Sequence, residues 1–174
     1  ISLGIGQGYN HFTVLQMAQA MATLASSGRR LAPHLVRDVV DVVTEAKRPP
    51  QLQQFEPVQI KLEHMEVIRR AMVGVNVEGT GAPAFRGAGY VSGGKTGTAQ
   101  VKSIGQNEKY NAARVAEHLR DHALFVAYGP VDVPRVALAM VVENAGFGGA
   151  AAAPIARRVL DYVPGSGYPY VLRI

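Results

Sequence analysis

The chain has 174 residues, a net charge of +5, 48% hydrophobic residues and no cysteine. That is enough to bury one core, and no apolar run is long enough to cross a bilayer or reads as a signal peptide. The basic residues fall in scattered doublets (Arg29-Arg30, Lys47-Arg48, Arg69-Arg70, Arg157-Arg158) without interleaved aromatics, which argues against nucleic acid as a partner. The lack of cysteine is compatible with an oxidising periplasm and equally with cytosol.

In chain order, Thr13 with Gln16 three residues on forms a capping-box pattern. Val14, Met17, Ala18, Met21 and Ala25 follow at helical spacing, with Gly28 as a natural stop. The Val-rich stretch from Leu35 to Val43 reads as extended, and Pro49-Pro50 and Glu56-Pro57 bracket a loop. Leu62, Met65, Ile68, Met72 and Val73 mark a second amphipathic helix, after which Gly79-Thr-Gly-Ala-Pro83 breaks the chain. A strand is expected from about Tyr90 to Lys102. A polar insertion from Ser103 to Asp121 follows, with Val115, Ala116 and Leu119 suggesting a short helix that walls one side of a cleft. His118 and His122 stand four apart, as metal ligands on one helix would, but no acidic or cysteine partner is placed convincingly, so no metal site is assigned.

Phe125–Tyr128 and Val136–Val142 then read as strands. The link between them is too short for a helical crossover, so they should pair antiparallel. The Gly-rich turn Asn144–Gly149 is read as a mobile turn near the cleft that leads into a helix from about Ala151 to Tyr162. Residues 164–174 are expected to form a loosely held tail, separate from a domain spanning 1–163.

The chemistry concentrates in Ser92-Gly-Gly-Lys95-Thr96-Gly97-Thr98, on which three patterns overlap. Gly89-x-x-x-x-Gly94-Lys95-Thr96 fits a phosphate-binding P-loop, with the strand ending at Glu143 as a possible magnesium-ligand strand. That chemistry needs a buried strand before the loop and a helix opening at the lysine. Ala84–Gly89 is a poor buried strand, and Gly97 and Thr98 are weak helix formers. Ser92-x-x-Lys95 fits a serine–lysine pair, but Gly93-Gly94 makes the required helical turn costly, and in a strand the two side chains point to opposite faces. Ser92 is therefore read as a turn residue. Lys95-Thr96-Gly97 on a strand suits a cleft wall. Lys95 supplies a cation, Thr96 and Thr98 supply hydroxyls, and Gly97 lets a substrate approach the backbone. The Thr98 N–H could donate to a developing oxyanion.

Four segments in order then carry a resemblance: Gly4–Thr13 with Leu15-Gln-Met-Ala18, Gly94–Val101, Tyr110–His122, and Val142-Glu-Asn-Ala-Gly146. Together they resemble the class B penicillin-binding proteins, in particular the branch that serves cell elongation, from the first residues to about Val163. The resemblance implies an α/β fold of the α+β type: an antiparallel sheet of three principal strands flanked by helices, part of a penicillin-binding protein or serine β-lactamase-like transpeptidase fold. In the complete domain the sheet would have five strands, the first two lying upstream and pairing beside Val136–Val142, so that edge should be uncovered here.

The resemblance further implies acyl transfer through a serine ester on peptidoglycan stem peptides ending in D-Ala-D-Ala, and inhibition by β-lactams. It implies no cofactor. The expected partners are the upstream part of the same domain and a membrane glycosyltransferase of the elongation machinery, and the expected location is the periplasmic side of the bacterial inner membrane, with the anchor upstream. Lys95, Thr96, Gly97 and Thr98 map onto the family's third motif as substrate-binding residues, Lys95 and Thr98 with catalytic roles. No Ser is followed two residues later by Asn, and the only Ser-x-x-Lys is the rejected one. The nucleophile is therefore expected upstream, and this chain alone is expected to be inactive. A non-catalytic sensor or scaffold module on the same fold is the other reading, besides the P-loop.

Overall fold

A computed structural model of the chain describes residues 10–101, 111 and 115–162. The chain begins with helix α1 (Val14–Ala25), capped as the sequence predicts. Thr13 Oγ1 accepts from the Gln16 N–H at 3.2 Å, and Gln16 Oε1 accepts from the Thr13 N–H at 2.8 Å. Two first-turn donors that would otherwise lack partners are thus satisfied. Three residues past the last residue of the helix, Gly28 (φ +96°) donates its N–H to the Thr23 carbonyl at 2.8 Å.

Of the expected extended stretch Leu35–Val43, only β1 (Val39–Val40) pairs, and its partner β2 (Lys47–Arg48) was not foreseen. Val42 and Val43 stand more than nine-tenths exposed. Strand preference of a β-branched residue works through packing on a half-buried surface, which these valines lack.

Helix α2 (Leu62–Val77) follows the loop and buries Met65, Met72 and Asn76, leaving Leu62 and Ile68 exposed. The predicted break at 79–83 contains instead the start of a short helix, α3 (Ala82–Phe85). Pro83 sits in its first turn, where the missing N–H costs nothing, so proline here opens a helix rather than stopping one.

Strands β3 (Gly93–Ala99), β4 (His122–Gly129) and β5 (Val136–Val142) form an antiparallel sheet in that order. β3 is shorter at both ends than the expected 90–102, and residue 102 lies outside the described residues. The insertion's predicted helix is a three-residue 3-10 turn, Glu117–Leu119; residues 102–110 and 112–114 lie outside the described residues. His118 is in that turn and His122 opens β4, so the two do not share a helix face. Helix α4 (Gly148–Tyr162) begins earlier than the predicted Ala151. The predicted tail from 164 lies outside the described residues. Among the described residues no strand pairs with the far edge of β5.

β4 is covered on both faces, which is why it reads as a nearly unbroken apolar run. Ala123, Phe125 and Ala127 face α3 and α4, where Phe85 stacks on Phe125 at 5.7 Å. Ala152, Ala153 and Ala156 of α4 are fully buried there, and their small side chains let the helix lie close on the sheet. Tyr128, with Val126 and Ala137 beside it, faces Met21 and Ala25 of α1 and Met72 of α2.

One ionic cluster pins α4 to the segment before β3. Asp161 Oδ1 accepts from Arg157 Nε and from the Tyr90 hydroxyl, the latter at 2.9 Å. Partial burial pushes the Asp161 carboxyl up, but the Arg157 and Tyr90 hydrogen bonds outweigh it and hold it below its ordinary value. A carboxylate with a depressed folded-state pKa stabilises above its unfolded value, and the effect fades as pH falls through the folded one. Asp161→Asn is therefore expected to cost up to about 1 kcal/mol at neutral pH, since the pair is part-exposed. Urea unfolding at successively lower pH should show wild type and variant converging below pH ~4. A gap that persists in acid would contradict the ionic origin.

Candidate functional site: the groove along the Lys95 strand

No helix opens at Lys95. Lys95 and Thr96 lie inside β3, and β4 and β5 run antiparallel, so the P-loop reading fails on local structure and topology together. Ser92 is not one helical turn from Lys95 either. It lies just before β3, buried, with its Oγ and carbonyl accepting from Asn76 Nδ2 at 3.0 and 3.3 Å. The expected turn does not form at Ser92, which is instead a buried anchor held by α2.

The register places Lys95 opposite Val126, Thr96 opposite Phe125, Gly97 opposite Leu124 and Thr98 opposite Ala123. Directly opposed residues share a face of the sheet. Thr96 and Thr98 therefore lie on the α3–α4 face, and Lys95 on the α1–α2 face. What unites them is the outer edge of β3. The Leu124 O and the Gly97 O and N all lie within 3.0 Å of the point where a Cβ on Gly148 would stand. Gly97 and Leu124 must then turn their polar backbone groups toward each other. Alternation along an antiparallel ladder turns the amides and carbonyls of Thr96 and Thr98 outward. Lys95 Nζ, on an exposed side chain, bends along this edge and donates to the Thr96 carbonyl at 2.7 Å. Among the described residues no strand pairs with this edge of β3, and no carboxylate forms a salt bridge with Lys95.

The edge forms one wall of a groove of about 650 Å³. Phe147, Gly148, Gly149 and Ala150, where α4 begins, form the other wall, and Thr80 and Pro83 close one end. Thr80 Oγ1 lies 2.7 Å from Thr96 Oγ1. Thr80 carries no local signal in the sequence, since it lies in the Gly-rich stretch 79–83. The other wall is firmly held. The Asn144 N–H donates to His122 Nδ1 at 2.9 Å, Asn144 Nδ2 to the Arg120 carbonyl at 3.0 Å, and the Gly146 N–H to the Asp121 carbonyl at 2.8 Å. His122 thus accepts at the start of the central strand, and among the described residues no group of His, Asp and Glu side chains could hold a metal ion.

A depression between Gly89–Val91 and the 130–135 link is larger, about 750 Å³. Its ionisable side chains are Tyr90, Asp132 and Arg135, and its lining includes no serine, threonine or lysine. The groove at Lys95 has the better chemistry: an exposed ammonium, a hydroxyl pair and backbone donors on a strand edge left unpaired among the described residues.

An antiparallel sheet whose edge strand carries Lys-Thr-Gly-Thr, backed by α4, is the α+β arrangement that the resemblance implies. Residues 1–161 match the penicillin-binding protein transpeptidase domain, and the chain belongs to that family. It is 42% identical to the peptidoglycan D,D-transpeptidase MrdA of Haemophilus influenzae over 98% of this chain and 26% of that protein. Against the MrdA of Escherichia coli K12 the identity is 38%, over 94% and 26%. The chain thus spans about a quarter of the length of the curated relatives it matches. Among solved structures it resembles Pseudomonas aeruginosa PBP2 in complex with WCK 5153, with a TM-score of 0.71 and 32% identity over 91% of this chain and 31% of that one. It also resembles the imipenem acyl-enzyme of Mycobacterium tuberculosis penicillin-binding protein A, with a TM-score of 0.70 and 26% identity over 92% and 32%.

Proposed function

We propose that this chain is the substrate-holding part of a peptidoglycan D,D-transpeptidase that β-lactams inhibit. The observation that carries the reading is the outer edge of β3, along which the Lys95 ammonium, in a salt bridge with no carboxylate among the described residues, and the outward Thr98 N–H lie in one line. Lys95 binds the terminal carboxylate of a stem peptide, helped by the hydroxyls of Thr96 and Thr98. Gly97 leaves the backbone open to an extended peptide, which can lie along the edge as an added strand. The Thr98 N–H is one of the two donors that stabilise the oxyanion.

The chemistry runs through a serine in the longer protein. Its Oγ attacks the penultimate D-alanine carbonyl and loses its proton to a neighbouring base. The bond to the terminal D-alanine breaks, and that residue leaves as the free amine. An amine from a second stem then attacks the ester, forms the cross-link and releases the serine. A β-lactam follows the first half only. Its ring amide opens, but the leaving nitrogen stays tethered, so the ester persists. Location on the periplasmic side of the inner membrane and work beside a membrane glycosyltransferase belong to the same proposal. Among the described residues no helix is long and apolar enough to cross a membrane.

The test is covalent labelling with a fluorescent penicillin. The longer protein, with a Ser-x-x-Lys upstream, is expected to retain the label through denaturing electrophoresis, and the 174-residue chain to retain none. A stable adduct on the 174-residue chain would mean that its own residues supply the nucleophile, against the assignment made here. A longer protein that takes no label would leave the groove as a non-catalytic binding site.

A further inference from the structure

Two residues outside the motif hold the motif strand on either side of Lys95, and both come from α2 or the turn that follows it. Asn76, 6% exposed, donates from Nδ2 to Ser92 Oγ and to the Ser92 carbonyl. It sits in a slot that two glycines make. A Cβ on Gly94 would stand 3.0 and 3.1 Å from its amide oxygen and nitrogen, and one on Gly81 would stand 2.6 Å from the oxygen. Beyond Lys95, Thr80 Oγ1 meets Thr96 Oγ1 at 2.7 Å. The strand is therefore tied three residues before Lys95 and one residue after it. A slip in register would break both ties and reverse the faces on which Lys95 and Thr96 stand.

The hydroxyl pair does more than tie. Two hydroxyls carry two protons, and the bond between them uses one. The second proton is left to donate, and its direction is set by the bond already made. Thr80 and Thr96 both line the groove, so that donor serves whatever carboxylate Lys95 holds there.

We propose that Thr80 and Asn76 are positioning residues for acyl transfer: Asn76 fixes the register of the motif strand, and Thr80 orients the Thr96 hydroxyl toward the substrate carboxylate. The proposal rests on the transpeptidase reading above. The experiment compares acylation of the full-length protein by a fluorescent penicillin and by the same compound with its carboxylate methylated. Thr80→Val keeps the shape and removes the hydroxyl. Without Thr80 the Thr96 hydroxyl loses its fixed direction toward the carboxylate, and acylation by penicillin should slow by up to about 10-fold, what one hydrogen bond to a charged group contributes. The loss should appear in the concentration giving half-maximal rate rather than in the limiting rate.

Thr80→Ser restores the rate, and with the methyl ester wild type and Thr80→Val should react alike. Thr80 is exposed, so the melting temperature should not move. For Asn76 the cleaner variant is Ser92→Ala, which removes its hydroxyl partner and leaves the amide in place. It should slow acylation while circular dichroism stays that of the wild type. An unchanged penicillin rate in Thr80→Val, or an equal slowing with the ester, overturns the role of Thr80. An unchanged rate in Ser92→Ala overturns a role for the hydroxyl tie, and an unchanged rate in Asn76→Ala, which removes the carbonyl tie as well, overturns that of Asn76. Failure of the transpeptidase reading looks different: wild-type full-length protein would then take no label from penicillin.

Discussion

Replacing Lys95 by alanine in the full-length protein should lower the rate of penicillin acylation by roughly 10- to 100-fold, while the fold survives. The size follows from the contact removed. A hydrogen bond to a charged group contributes about 1.5–3 kcal/mol, and each 1.4 kcal/mol is a factor of ten in rate. The fold survives because little is buried by this side chain. Lys95 is exposed, its ammonium meets the Thr96 carbonyl at the open edge of β3, and such a bond contributes about 1 kcal/mol or less. The Thr96 carbonyl it leaves is free to bond water. Lys95→Arg keeps the charge but replaces a compact point donor by a planar fork, so it should recover only part of the loss. Stopped-flow acylation beside thermal melting separates the two effects. Acylation unchanged in Lys95→Ala would remove this residue from the site, and a melting temperature that collapses would make it structural.

Much of this site was legible because its chemistry is local. The glycines and threonines from 93 to 98 weigh against a helix at Lys95, and the short link before Val136 calls for an antiparallel pair; both argue against a P-loop, which the structure then removes. The capping box at Thr13 and Gln16 is equally local, and it forms as written. What the sequence could not show depends on residues far apart in the chain. Thr80 reads as loop because its partner is 16 positions away. Asn76 reads as a polar residue near a helix end, and only the fold shows that it is buried against Ser92. The valines at 42 and 43 mislead in the opposite sense, since apolar pattern predicts a strand only where a surface exists to cover it. The faces of Lys95 and Thr96 follow from period-two alternation in any strand, but that their useful groups converge at the edge follows only from the register with β4.

The largest stability loss from a single methyl group is expected at Gly148. A Cβ there would stand 2.1 Å from the Leu124 carbonyl oxygen, 2.5 Å from that of Gly97 and 3.0 Å from the Gly97 nitrogen. All three are backbone atoms of the sheet, so no side chain can swing away to make room. Either α4 retreats or the β3–β4 ladder opens at Gly97. Retreat is resisted by Ala152, Ala153 and Ala156, whose full burial depends on the helix lying close to the sheet. Overpacking of this kind costs about 3 kcal/mol or more, and a displaced α4 start also widens the groove and shifts the Thr98 amide. Gly148→Ala should therefore lose both stability and acylation.

Gly146→Ala is the informative control. Gly146 has a positive φ of +80°, but nothing lies within 4 Å of its Cβ position, so the only cost is the left-handed backbone, about 1–2 kcal/mol. It stands in the same turn two residues earlier, and it should leave acylation nearly intact. Urea unfolding of the two variants decides between close approach and backbone conformation as the reason this turn is rich in glycine. Equal losses at the two positions would count against the wedge of α4 on the motif strand; a loss confined to Gly148, matched by slower acylation, ties the helix start to the chemistry of the edge it presses on.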